Sequence, residues 1–268
     1  MIGAIIGDIV GSIYEFDNIK TKEFKLFGRG CEFTDDTVMT AAVAEALMKY
    51  ESICEANIED FKGDLIKIMH KKGAKYPDRG YGGRFMLWLL NERTEPYNSY
   101  GNGSAMRVSP VGWYASSLEE AEMIAKATAE ITHNHPEGIK GAVSTAGAVF
   151  LARQGKSKDE IREYVSGYYD IDLTIDEIRP AYAFNETCQE SVPQAMQAFF
   201  EAESFEDTIR TVISIGGDSD TLGAIAGAVA EAYYGTDMDI EIEALSYLDE
   251  ELIDIISDFE KRFGKKSS

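Results

Sequence analysis

Apolar residues recur at helical spacing along most of the chain, and only one short stretch departs from it. Residues 1–16 read as a helix whose glycines at 3, 7 and 11 share one face, which predicts close packing against another helix. Asp8 and Glu15 interrupt that otherwise apolar segment, and an acid turned inward needs a partner. Residues 17–33 read as a surface loop of mixed charge. A helix over about 35–50 carries Val38, Met39, Ala42, Val43 and Leu47, and one over about 57–72 carries Phe61, Leu65, Ile68 and Met69. A short apolar helix holds Phe85, Trp88 and Leu89. Another begins at Ala105, and Pro136 suits the first turn of a helix bearing Ile139, Ala142, Val143, Ala146, Val149 and Phe150. Helices resume over 190–201, 205–215 and 222–232, and a last one aligns Leu252, Ile255, Ile256, Phe259 and Phe263. Residues 168–176 alternate apolar and polar, the one strand pattern, and it is too short to build a sheet domain. The pattern predicts an all-α chain, a single domain over 1–268 with at most one short strand pair and a frayed tail at 264–268.

Two segments place acids and hydroxyls at the mouths of small-residue helices. Thr34-Asp35-Asp36-Thr37 opens the second helix, and Gly216-Gly217-Asp218-Ser219-Asp220-Thr221 opens the run Leu222–Ala232. The two glycines suit a turn at positive φ. One aspartate at a helix start is accounted for by capping and the helix dipole. Four in two such clusters would repel one another unless cations were present. Carboxylates with hydroxyls form an all-oxygen set that suits Mg²⁺, Mn²⁺ or Ca²⁺ and not zinc. If the two clusters meet in space, they make a two-metal site able to activate water.

Other punctuation is weaker. Tyr76–Arg84 is glycine-rich and reads first as turn chemistry, with a flexible wall beside a site as the alternative. Ser99-Tyr100-Gly101-Asn102-Gly103-Ser104 runs into a helix start, where backbone N–H groups can cradle an anion or simply form a turn. His133-Asn134-His135 could ligate metal, although loop histidines more often cap or hydrogen-bond. His70, on a lysine-flanked helix end, is incidental.

Composition narrows the possibilities. The 47 acids against 26 bases give a net charge of −21, a surface that repels duplex phosphate, so nucleic acid is not the expected partner. A phosphate-bearing ligand would need local positive charge. Cys31, Cys54 and Cys188 are odd in number and widely spaced, which argues against a disulfide framework and fits a reducing cytoplasm. The apolar start lacks a basic n-region and stops at Asp8, and no apolar run reaches membrane-spanning length.

Five motifs together resemble the ADP-ribosylglycohydrolases, relatives of the dinitrogenase-reductase-activating glycohydrolase: Gly7-Asp8-Ile9-Val10-Gly11-Ser12 with Glu15, Phe33-Thr34-Asp35-Asp36-Thr37, Gly101-Asn102-Gly103-Ser104-Ala105-Met106-Arg107, His133-Asn134-His135-Pro136, and Gly216–Thr221. The resemblance implies a compact orthogonal helical bundle around a central di-metal cleft holding two Mg²⁺ or Mn²⁺ ions. Thr34, Asp35, Asp36, Asp218, Asp220 and Thr221 match the family's metal ligands. Glu15 matches a glutamate near the metals that assists catalysis in some members. The Ser99–Ser104 loop (Ser99, Tyr100, Gly101, Asn102, Gly103, Ser104) matches the segment that holds ADP-ribose, and His133 matches a substrate contact, which displaces the metal-ligand reading. The implied activity is hydrolysis at C1″ of an N- or O-glycosidic bond through an oxocarbenium-like transition state. Asp35, Asp36 or Glu15 would handle protons, and ADP-ribose would leave a protein or small-molecule acceptor. Ser99–Gly103 is closest to the serine-directed branch. Two other functions compete: a di-metal phosphohydrolase cutting the pyrophosphate, and an ADP-ribose-binding protein without turnover.

Overall fold

Residue size decides which helices occupy the middle of this protein. The structure is a computed structural model and describes residues 1–264. Four helices rich in Gly or Ala are buried along most of their length: α1 (Ile2–Gly11), α2 (Asp35–Leu47), α8 (Pro136–Arg153) and α13 (Ser219–Tyr234). Helices with apolar residues on all sides belong in the interior. Amphipathic helices wrap them: α3 (Ile58–Lys75), α4 (Gly83–Leu90), α7 (Leu118–Glu130), α9 (Lys158–Ser166), α11 (Cys188–Glu201), α12 (Phe205–Ile213) and α15 (Glu250–Phe263). The shorter α5 (Gly103–Met106), α6 (Ser109–Tyr114), α10 (Ile175–Ile178) and α14 (Met238–Leu245) complete the order. Most buried apolar residues from Met1 to Phe259 form one continuous cluster, and Ala115, Ala121 and Phe150 form a small separate one. No strand occurs among the described residues, only an isolated antiparallel bridge between Gly101 and Thr187. Nor is any described helix long and apolar enough to cross a membrane.

The glycine face of the first helix packs as expected, and its partner is α13. A Cβ on Gly7 would fall on the carbonyl of Gly223, one on Gly3 on the carbonyl of Gly227, and one on Gly11 on the backbone at Ser219 and Asp220. Gly223 and Gly227 return the contact against Gly7 and Gly3. Glu231 of α13 then reaches across to accept from the N–H of Gly3 at 2.8 Å. Gly7→Ala should destabilise the fold by about 1–3 kcal/mol, because backbone cannot yield as a side chain can. The measurement is a urea midpoint at constant m-value; an unchanged midpoint would contradict the backbone contact.

Three expectations need correction. The first helix ends at Gly11 and continues only as a 3₁₀ turn, Ser12–Tyr14, so Glu15 lies outside it. The alternating segment 168–176 is not a strand. Tyr169, Ile171 and Ile175 are indeed buried, but the Thr174 and Glu177 side chains form a capping box that starts α10, and the described residues hold no second strand to pair with. Finally, α6, α7, α9 and α14 are helices that the apolar pattern does not predict. Gly264 is described and ends α15, whereas the rest of the expected tail, 265–268, lies outside the described residues.

Candidate active site

Asp8 is the joint between α1 and α2. Fully buried, it accepts from the backbone N–H of Thr34 at 3.0 Å and of Thr37 at 3.1 Å, and from the Thr34 hydroxyl at 2.7 Å; the Thr37 hydroxyl also donates to it. These are donors that a helix N-terminus leaves free. The inward acid of the first helix thus finds its partner at the first acid cluster. Thr34 is the N-cap of α2 and accepts from the N–H of Asp36 at 3.3 Å. Asp35 and Asp36 follow on the first turn, with the Asp35 N–H anchored on the Arg79 carbonyl at 2.7 Å.

The second cluster is aimed by its glycines. Gly216 and Gly217 have φ of 68° and 81°. Asn18, from the expected surface loop, clamps Gly217 by accepting from its N–H at 2.8 Å and donating to its carbonyl at 2.9 Å. Asp218 occupies the N-cap of α13 but makes no side-chain cap bond. Its carboxylate instead accepts from Asn102 Nδ2 at 2.7 Å, so a sequence suited to capping spends its first acid elsewhere.

The α1–α13 ladder brings both clusters together. Carboxylate oxygens of Asp8, Asp36 and Asp220 lie within 4.8 Å of one another, as do those of Glu15, Asp218 and Asp220. Asp220 belongs to both groups. Thr221 Oγ1 donates to Asp36 Oδ2 at 3.3 Å across the two clusters, while Asp36 Oδ1 is buried with no hydrogen-bond partner among the described residues. Burial, followed by the charge of Asp220 and of Asp8, holds Asp35 and Asp36 well above the usual carboxylate range; burial and then Asp218 do the same to Asp220. Burial and the charges of Asp220, Glu186 and Asp8 push Glu15 up to about 8. Asp218, also raised by burial and relieved by bonds from Asp220 and Asn102, stands at about 6. An orphaned buried carboxylate oxygen amid mutually repelling acids fits a divalent cation.

A cleft of about 220 Å³ opens over these acids. Glu15, Asp35, Asp36, Asp218, Asp220 and Thr221 line it, and so do Ser99, Gly101, Asn102, Gly103 and His133. Thr34 does not reach the lining, since its hydroxyl is engaged by Asp8. Two predicted substrate positions also lie off this wall. Ser104 is buried and donates to the Gly138 carbonyl at 2.7 Å, while Tyr100 faces an outer groove shared with Arg84 and Phe184 and packs its ring on His135. The amides of Gly101 and Asn102 are already bonded, to Ser99 Oγ at 3.1 Å and the Glu186 carbonyl at 2.8 Å, so they are not free to hold an anion. The two histidines do not act as a metal pair. His135 Nδ1 accepts from the Glu137 N–H at 3.1 Å as the cap of α8, and His133 lines the cleft.

Of the two readings of the Tyr76–Arg84 loop, the less favoured one holds: Gly80, Gly82 and Gly83 border the cleft with Arg84. Other parts of the wall the sequence reading missed. Arg84 and Arg107 supply the local positive charge that a phosphate would need. Exposed Phe16 stacks on Phe184 at the mouth, with ring centroids 6.0 Å apart. Of these, only the arginine-bearing glycine loop carries a signal in the sequence.

The model of the ADP-ribosylglycohydrolase family matches residues 1–267. The chain belongs to this family. It is similar to ADP-ribosylhydrolase ARH3 of Homo sapiens, 28% identical over 88% of this chain and 85% of that one. It is also similar to the ADP-ribosyl-[dinitrogen reductase] glycohydrolase of Rhodospirillum rubrum, at 27% identity over 92% of this chain and 88% of that one. Among solved structures, an ADP-ribosylglycohydrolase-related protein complex superposes with a TM-score of 0.71 at 20% identity, covering 98% of this chain and 97% of that one. This ADP-ribosylglycohydrolase is therefore an enzyme acting on glycosyl bonds, and its acid groups could hold metal.

Proposed function

We propose that this cleft releases ADP-ribose from an acceptor by hydrolysing the bond at C1″, with two divalent ions, Mg²⁺ or Mn²⁺, held by Asp35, Asp36, Asp218, Asp220 and Thr221, while Thr34, expected as a further ligand, is engaged by Asp8. The observation that carries this reading is the position of Asp220, shared by two acid groups of which one contains the orphaned Asp36 oxygen. When bound, such ions supply Lewis acidity toward hydroxyl and water oxygens. The protein's own groups do the rest. Asn102 fixes the Asp218 carboxylate through a 2.7 Å bond. Glu15 is only partly buried, on the open side of the acid set, and so can exchange its proton with water and pass it to or from the breaking bond together with Asp35 or Asp36. Arg84 and Arg107 line the cleft and supply positive charge toward a diphosphate, and Gly101 and Gly103 leave room for the sugar.

The resemblance of Ser99–Gly103, a loop expected to face the ADP-ribose and not the leaving group, to the serine-directed branch supports a serine-linked acceptor. Serine-, arginine- and nucleobase-linked ADP-ribose, each incubated with enzyme and Mg²⁺, should separate the alternatives. Intact ADP-ribose, released fastest from the serine conjugate, is the expected product. AMP would instead mean diphosphate cleavage, and binding without any product would mean a protein that has no turnover.

A further inference from the structure

Behind the glycine-rich loop, Arg107, Thr132 and His133 form a hydrogen-bonded row. The Arg107 guanidinium is buried, and its Nη2 donates to the Thr128 carbonyl at 2.9 Å and to the Thr132 hydroxyl at 2.8 Å. That same hydroxyl lies 2.8 Å from His133 Nδ1. The far edge of the ring faces the cleft, with Nε2 3.2 Å from where a Cβ on Gly103 would stand and 3.6 Å from one on Gly101.

The protons in this row can be assigned by elimination. Arginine only donates, so the Thr132 oxygen accepts from it. The Thr132 hydrogen must then go to an acceptor, and His133 Nδ1 is the one it has among the described residues. The opposite arrangement would aim two donors at one hydroxyl and strand its hydrogen in a fully buried place. A doubly protonated ring would set a third cation beside Arg107 and Arg84; burial and those two charges hold His133 well below its ordinary value.

We infer that Thr132, itself oriented by Arg107, is a positioning residue that locks His133 in the Nε2–H tautomer, so that the ring offers the ligand a hydrogen-bond donor and never an acceptor. The donor points over Gly101 and Gly103, where it can meet a hydroxyl or phosphate oxygen. A ring free to change tautomer would, in its other form, present a lone pair toward that same oxygen and repel it. That the ligand is ADP-ribose rests on the proposed function. The tautomer does not.

The test is long-range ¹H–¹⁵N NMR on the whole ¹⁵N-labelled protein, comparing the parent with Thr132→Val and Thr132→Ser, alongside ADP-ribose titration in Mg²⁺. In the parent, His133 Nδ1 should resonate as an unprotonated nitrogen and Nε2 as a protonated one. Thr132→Val should give a mixed tautomer and weaken ADP-ribose binding about tenfold, the scale expected for losing one buried hydrogen bond. Thr132→Ser should restore both. A proton on Nδ1 in the parent, or an unchanged tautomer in Thr132→Val, would overturn the inference. If the valine variant does not fold, the parent spectrum still decides. Failure of the parent to bind ADP-ribose would remove the proposed function and leave the tautomer to be read from the free enzyme.

Discussion

Asp220→Ala should end ADP-ribose release, with a loss in kcat/KM of at least about 1,000-fold, beyond the usual effect of deleting one transition-state contact. The size follows from geometry. Asp36 sits in one acid group and Asp218 in the other, but Asp220 completes both, so one substitution dismantles two candidate ion positions. Calorimetric titration of Mg²⁺ or Mn²⁺ should lose its binding isotherm in the same variant, and Asp218→Ala with Asp220→Ala should be no worse. Hydrolysis that survives in the double variant, or in excess chelator, would sink the two-metal reading. Folding should not be the cause of the loss, because removing Asp220 also removes a charge that raises Asp35 and Asp36.

That last point gives the second large effect, on stability in chelator. An acid whose pKa is higher in the folded chain than in the unfolded one holds its proton longer when folded. As pH rises, the unfolded chain ionises first, and stability falls between the two values. For Asp218 the window runs from 3.8 to about 6, and for Glu15 from 4.5 to about 8. Asp35, Asp36 and Asp220 are shifted in the same direction and add to the loss. Metal-free protein should therefore melt progressively lower from about pH 4 to about pH 8. A divalent ion at a hundred times its dissociation constant contributes about 2.7 kcal/mol, which at ~2–4 °C per kcal/mol amounts to about 5–10 °C near neutral pH. Scanning calorimetry across this range, with chelator and with Mg²⁺, reads both. A melting temperature flat with pH in chelator would show that the acids do not confront one another.

Much of this could be read from residues alone, and the limits have physical causes. The helices that sit in the core, α1, α2, α8 and α13, announce themselves through stretches dominated by small and apolar residues, and the i, i+4 glycines foretell a close contact. Spacing could not say which helix makes that contact, because Gly223 and Gly227 lie more than two hundred residues from Gly7 and Gly3. The meeting of the acid clusters is invisible for the same reason, and the family resemblance carried it. Helices α7 and α9 were missed although Ser117 and Ser157 each accept from the N–H three residues on, the serine–glutamate signature of a helix start. Residues 168–176 misled because alternate burial does not need a partner strand. Wall residues such as Tyr97, Phe184 and Glu186 come from loops, where no periodicity points inward.

The glycine ladder also sets a schedule. Asp8 and the Thr34 cluster can associate early, being 26 residues apart, but Asp218 and Asp220 cannot join them until α13 has emerged and docked across almost the full span of the chain. Contacts of such long range form late and slowly. The proposed ion site is thus complete only once α13 has docked on α1, because an incompletely folded molecule lacks the Asp220 that both acid groups share. If an ion binds there, its capture reports that distant parts of the chain have met.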